Sequence, residues 1–156
     1  MRFTPLCAAL VALAGTPALS QALRDCDTFE ANARNTYPPY EQTIRSYANG
    51  AIRVIALDTS APACCSFHVM VTHPSADGLY ADCTLISADG SLGFGALFMD
   101  RTGASYESAT GLTVTLPVGH WDEAAGRIRE APLVFTVNQA TGTVTLAGAA
   151  PGPATK

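Results

Sequence analysis

Residues 111–148 read GLTVTLPVGHW, DEAAG, RIREAPLVFTV, NQATG and TVTLAG in succession. In the first run Leu112, Val114, Leu116 and Val118 alternate with Thr113, Thr115 and Pro117. A period of two is what a strand with one buried face requires, because successive side chains point to opposite faces. In the second run Leu133, Phe135 and Val137 share one face, with Thr136 and Asn138 on the other. In the third, Val144 and Leu146 oppose Thr143 and Thr145. Short, polar, glycine-bearing segments join the runs, so the stretch is expected to fold back on itself as an antiparallel meander.

The same grammar extends upstream. Turn signals recur near Gly50, Gly78, Gly90, Gly103, Gly111, Gly126 and Gly142. Strands are expected over 42–48, 51–58, 66–73, 79–87, 91–99 and 104–108. With the meander, the reading is an all-β domain of about nine antiparallel strands, closed as a small barrel or a sandwich. Asn49-Gly50 predicts a type I′ hairpin turn, because both residues tolerate positive φ. A helix over 40–48 ending at the same Asn-Gly is the competing reading. Val54, Ile55 and Leu57 place apolar groups on both faces of one strand, which predicts that it is covered on both sides. Leu92, Phe94, Ala96 and Phe98 are expected inward. Gly93 and Gly95 between them mark a bend or a close backbone approach. Ahead of the sheet, Asp27-Thr28-Phe29-Glu30 has the form of a capping box and predicts a short N-terminal helix over Thr28–Asn35. Tyr37-Pro38-Pro39-Tyr40 stops it and continues as an extended arm.

The ends of the chain have a different character. Arg2, the apolar run 6–14 and the small residues Ala18 and Ser20 follow the pattern of a secretory signal peptide over 1–20, cleaved after Ser20 or Ala22. A single β-rich domain is expected over 21–148 and a loose tail over 149–156. The leader's apolar core falls short of the ~20 residues that a membrane span needs, and no later run comes closer, so no stable membrane insertion is expected. The formal net charge is −4 and no basic cluster occurs. Nucleic acid is therefore excluded as a partner, since phosphate binding needs grouped cations.

Beyond the leader there are four cysteines, Cys26, Cys64, Cys65 and Cys83. An even number in an exported chain predicts disulfides, and a periplasmic or secreted location. Strand parity puts Cys65 with Phe67, Val69 and Val71, and Cys83 with Leu85, which would allow Cys65–Cys83 and leave Cys64 for Cys26. Cys26–Cys83 is the other pairing, with the adjacent Cys64 and Cys65 free or joined. In either case Cys26 fastens the N-terminal arm to the sheet.

Few residues offer chemistry. His68 and His73 differ by an odd number and face opposite ways on a regular strand, so they cannot grip one ion; each histidine is expected solvated or singly hydrogen-bonded. No metal site and no cofactor is expected. Gly90-Ser91-Leu92-Gly93 has the wrong spacing for a nucleophile elbow, and Gly93-x-Gly95 lies inside a strand rather than before a helix. Asp89, Asp100 and Asp122 fall at turns, where Asp is common for backbone reasons. No catalytic residue is assigned. His120-Trp121-Asp122-Glu123 is the densest cluster: the only Trp of the chain at a strand end, beside a histidine and two acids. A loop aromatic there either anchors a ligand or caps the sheet. Trp121, His120, Tyr106 and Arg101 are the candidate binding residues.

Ser46-Tyr47-Ala48-Asn49-Gly50-Ala51-Ile52-Arg53 and Asn138-Gln139-Ala140-Thr141-Gly142 resemble a family of small exported proteobacterial proteins with no assigned function. That resemblance implies an address but no activity. Thr102-Gly103-Ala104-Ser105-Tyr106, followed by an alternating strand, is similar to the loop of periplasmic C-type lysozyme inhibitors. That similarity implies insertion of a Ser-rich loop with an Arg-Tyr pair into a lysozyme cleft; here Ser105 stands where the Arg would be. The sequence thus reads as a non-enzymatic β-domain that binds a protein or envelope component, or as an inhibitor of a cell-wall hydrolase.

Overall fold

The computed structural model describes residues 21–147; the expected leader and tail lie outside the described residues. Ten antiparallel strands form two five-stranded sheets. The first sheet contains β1 (Ala22–Asp25), β2 (Ile44–Tyr47), β3 (Ile52–Asp58), β4 (Phe67–Pro74) and β5 (Ala81–Ser87), in the order β1-β5-β4-β3-β2. The second contains β6 (Ala96–Leu97), β7 (Gly103–Glu107), β8 (Gly111–Asp122), β9 (Arg127–Asn138) and β10 (Thr143–Leu146). Its order is β10-β9-β8-β6, and β7 also pairs with β8. The result is an all-β sandwich rather than a closed barrel.

The alternation in the meander sets the register. Val114 faces Phe135, Leu116 faces Leu133, and Leu112 faces Val137 across β8 and β9. These side chains are buried against Ile52, Val54, Ala56, Val69, Val71 and Ile86 of the first sheet. Each large apolar group so enclosed contributes about 1.5–3 kcal/mol relative to exposure. The first sheet also has a second apolar face. Ile55, Leu57 and Leu85 lie there beneath Cys26, Ala31 and Ile44, so the N-terminal arm supplies the expected second cover of β3.

Several local expectations change. The helix over Thr28–Asn35 contracts to a 3-10 turn at Ala33–Asn35. Glu30 reaches Arg24 at 3.2 Å instead of capping the segment, and Asn32 Oδ1 accepts from the Arg34 amide at 3.0 Å. Side-chain bonds of this kind compete with a helix for the backbone. The one α-helical turn among the described residues, α1, spans Tyr40–Thr43 and passes directly into β2. The Asn49-Gly50 corner is where it was expected. The closing pair is Tyr47 with Ile52, however, so residues 48–51 form the connection. Within it Asn49 (φ 55°, ψ 32°) and Gly50 (φ 89°) both take the positive φ of a type I′ turn, and the Ala51 amide donates to Ala48 O at 3.1 Å. The strand expected over 91–99 is reduced to β6 and two isolated bridges, with Leu92 turned out to solvent at 53% exposure.

The cysteines pair as Cys26–Cys83 and Cys64–Cys65. Parity misled for two reasons. Val69 pairs with Ile86 and Val71 with Thr84, so the inner face of β5 carries Thr84 and Ile86 and sends Cys83 outward to the arm. Cys65 precedes β4 and has φ of 84°, so the alternation of that strand does not reach it.

Candidate functional site

The inward stripe of β8 does not stop at Val118. The next inward position is His120, at one end of the sandwich, where the imidazole meets the edge of Phe94 with centroids 5.4 Å apart. Trp121 follows and is 46% exposed. Opposite them the chain from Gly93 to Gly95 runs between the two sheets and bonds to both. The Gly93 amide donates to Cys65 O at 2.9 Å, the Phe94 amide to Phe67 O at 2.6 Å, and the Gly95 amide to Gly119 O at 2.7 Å. A side chain at Gly93 would collide with the carbonyl oxygens of Cys65 and Phe67. This is the close approach that the glycine pair predicted. Ahead of it a tight turn pairs Asp89 with Leu92 and leaves Leu92 on the surface.

Between the turn, the Cys64–Cys65 disulfide and the end of β8 lies an open cleft of about 370 Å³. That volume falls in the range of small-molecule sites, ~300–1,000 Å³. Leu92, Trp121 and the disulfide give it apolar surface; Asp89 and Glu123 also line it. His120 lines it too, is only 9% exposed, and its Nε2 is buried with no hydrogen-bond partner among the described residues. Burial pushes the His120 pKa below the ordinary value, so the ring is neutral at neutral pH.

The candidate residues do not all gather here. His120 and Trp121 do. Arg101 is held by Glu130 through two bonds of 2.9 and 2.8 Å, with its guanidinium 4.1 Å from the Phe98 ring centre. Tyr106 is exposed on β7, where its partner is Leu112. Leu112 lies eight residues from His120 along β8, roughly 26 Å at the rise of a strand. Sequence reasoning missed the Cys64–Cys65 bond as a lining group, and took Leu92 as core and Asp89 as a plain turn residue. The adjacent cysteines were the one signal that could have drawn attention there.

His68 and His73 are structural. The His68 Nδ1 lies 2.9 Å from Ser87 Oγ, which also accepts from Arg24 at 3.3 Å. A serine beside a histidine can be a nucleophile with its base. Here Ser87 is fully buried and His68 is 2% exposed, so no substrate reaches the pair. His73 is doubly bonded, to Thr84 Oγ1 at 3.1 Å and Pro74 O at 3.0 Å. None of the three histidines is therefore in the simple solvated or singly bonded state expected except His68. Among the described residues no group of three or more His, Cys, Asp or Glu could hold a metal ion. No helix among them is long and apolar enough to cross a membrane.

Comparison of the chain with protein-family models, curated proteins and solved structures gives no match.

Proposed function

We propose that the protein is an exported, non-enzymatic β-domain, periplasmic or secreted, that binds a ligand or envelope component through the cleft beside Trp121. The observation that carries this reading is the conjunction at one end of the sandwich: an open concavity, a half-exposed indole, and a buried imidazole with an unmatched nitrogen. A buried polar atom without a partner costs about 1–3 kcal/mol, and a bound group that bonded to it would recover part of that. Two disulfides are compatible with an oxidising compartment. The test is a thermal-shift screen of the wild-type protein and Trp121→Ala against envelope extracts and small molecules. Binding through the cleft predicts shifts in the wild type that Trp121→Ala loses. Equal shifts in both proteins would remove the cleft from the proposal.

Inhibition of a cell-wall hydrolase is the second reading. It draws on Tyr106, which is 65% exposed on β7, a strand with every residue exposed. Lysozyme inhibition that Tyr106→Ala abolishes would favour this reading over the cleft.

A further inference from the structure

We infer that the cleft takes a protonated amine with a compact apolar body. This deepens the binding reading above and rests on it. The charge around the cleft is one-sided. Asp89 and Glu123 line it, and no Lys or Arg does. Among the described residues neither carboxylate is in an ion pair; Arg129 is committed to Asp122 and Arg101 to Glu130, and Arg127, opposite Asp122 in the β8–β9 pair, is not among the lining residues. An anion would therefore meet two carboxylates and no compensating charge, while a cation meets two partners.

The remaining surfaces fit the same ligand. The face of an indole attracts a cation placed over it, more strongly than any other side-chain ring. Leu92 and the Cys64–Cys65 sulfurs offer apolar, polarisable contact for the body of the molecule. The buried Nε2 of His120 has no hydrogen-bond partner among the described residues, and in one of the two neutral tautomers it is the accepting nitrogen. An ammonium N–H is a donor of the matching kind; a quaternary ammonium has none. A cleft of about 370 Å³ holds about a dozen water-sized groups, enough for a ring and a short side arm.

The chain has one tryptophan, so emission from Trp121 reports on the cleft alone. The experiment titrates the intact protein with 2-phenylethylammonium, its uncharged counterpart 2-phenylethanol, the anion phenylacetate, and methyl glucoside. The expected result is a saturable emission change with 2-phenylethylammonium at a Kd about tenfold below that of 2-phenylethanol, and no response to phenylacetate. Asp89 and Glu123 are exposed, so the D89N/E123Q double variant keeps its fold, which far-UV circular dichroism checks. It is expected to bring the amine down to the affinity of the alcohol without changing the latter. If the alcohol or the glucoside binds as tightly as the amine, the amine assignment falls and the cleft remains a binding site. If none of the four probes changes Trp121 emission or thermal stability, the amine assignment falls and the cleft loses its support as well.

Discussion

The outer face of the first sheet and the cleft use the same two kinds of residue to opposite ends. On the outer face, Cys26 and Cys83 join segments 57 residues apart. His68 is tied there to Ser87, Ser87 to Arg24, and Arg24 to Glu30. At the cleft the disulfide joins neighbours, and the buried Nε2 of the histidine has no partner among the described residues. Both histidines are nearly enclosed, at 2% and 9% exposure. What separates them is the company they keep. A polar group that is buried and matched holds a fold together, whereas one that is buried and unmatched is a cost that only an outside partner relieves.

The disulfides provide the largest test of that contrast. In the chain-entropy account, a cross-link over 57 residues stabilises by about 4 kcal/mol, and one between neighbours closes almost no loop. Replacing Cys26 and Cys83 by Ala is expected to cost about that much in denaturant unfolding, and to free the N-terminal arm. Replacing Cys64 and Cys65 is expected to change stability by less than about 1 kcal/mol. Equal losses would break the comparison.

The histidines come next. Ser87→Ala leaves His68 Nδ1 buried without its partner and is expected to cost about 1–3 kcal/mol. His120→Leu removes no protein hydrogen bond, only an edge contact with Phe94. It is expected to leave stability within about 1 kcal/mol of wild type, read from the same unfolding curves.

The smallest expected effect is in pH. Burial lowers the pKa of both His68 and His120; for His68, Glu30 and Asp58 work against the shift and Arg24 adds to it. As pH falls through about 6.5 the unfolded chain takes up protons that the folded one refuses, so stability declines. The decline ends once pH passes below the folded-state values. His120→Leu is expected to flatten the stability curve between about pH 7 and about pH 5, since only one depressed histidine then remains. An unchanged curve would show that His120 takes its proton in the folded state as readily as in the unfolded.

The meander was legible because its faces are nearly pure. Leu112 through Val118 alternate without exception, Leu133 through Val137 with Val134 as the one apolar residue on the outer side, and two-sided burial of β3 followed from Ile55 and Leu57 beside Val54. Half of the site was legible too, as the cluster of Trp121 and His120 with two acids at a strand end. The rest was written in backbone rather than in pattern. Cys65 at positive φ, Leu92 turned outward and the crossing at Gly93–Gly95 all interrupt the alternation, so period-two reasoning carried through them gave Cys65 and Leu92 the wrong side. The arm failed differently: the spacing of a capping box was present, but Glu30 had a better partner in Arg24.

The crossing at Gly93 has a bearing on how this protein diversifies. Its peptide group both closes one side of the two layers and borders the cleft, and its alpha carbon admits no substituent. Selection for a new ligand therefore has no room to act at that point. It is left with the outward side chains at positions 89, 92, 121 and 123, which can be exchanged without unfastening the layers behind them.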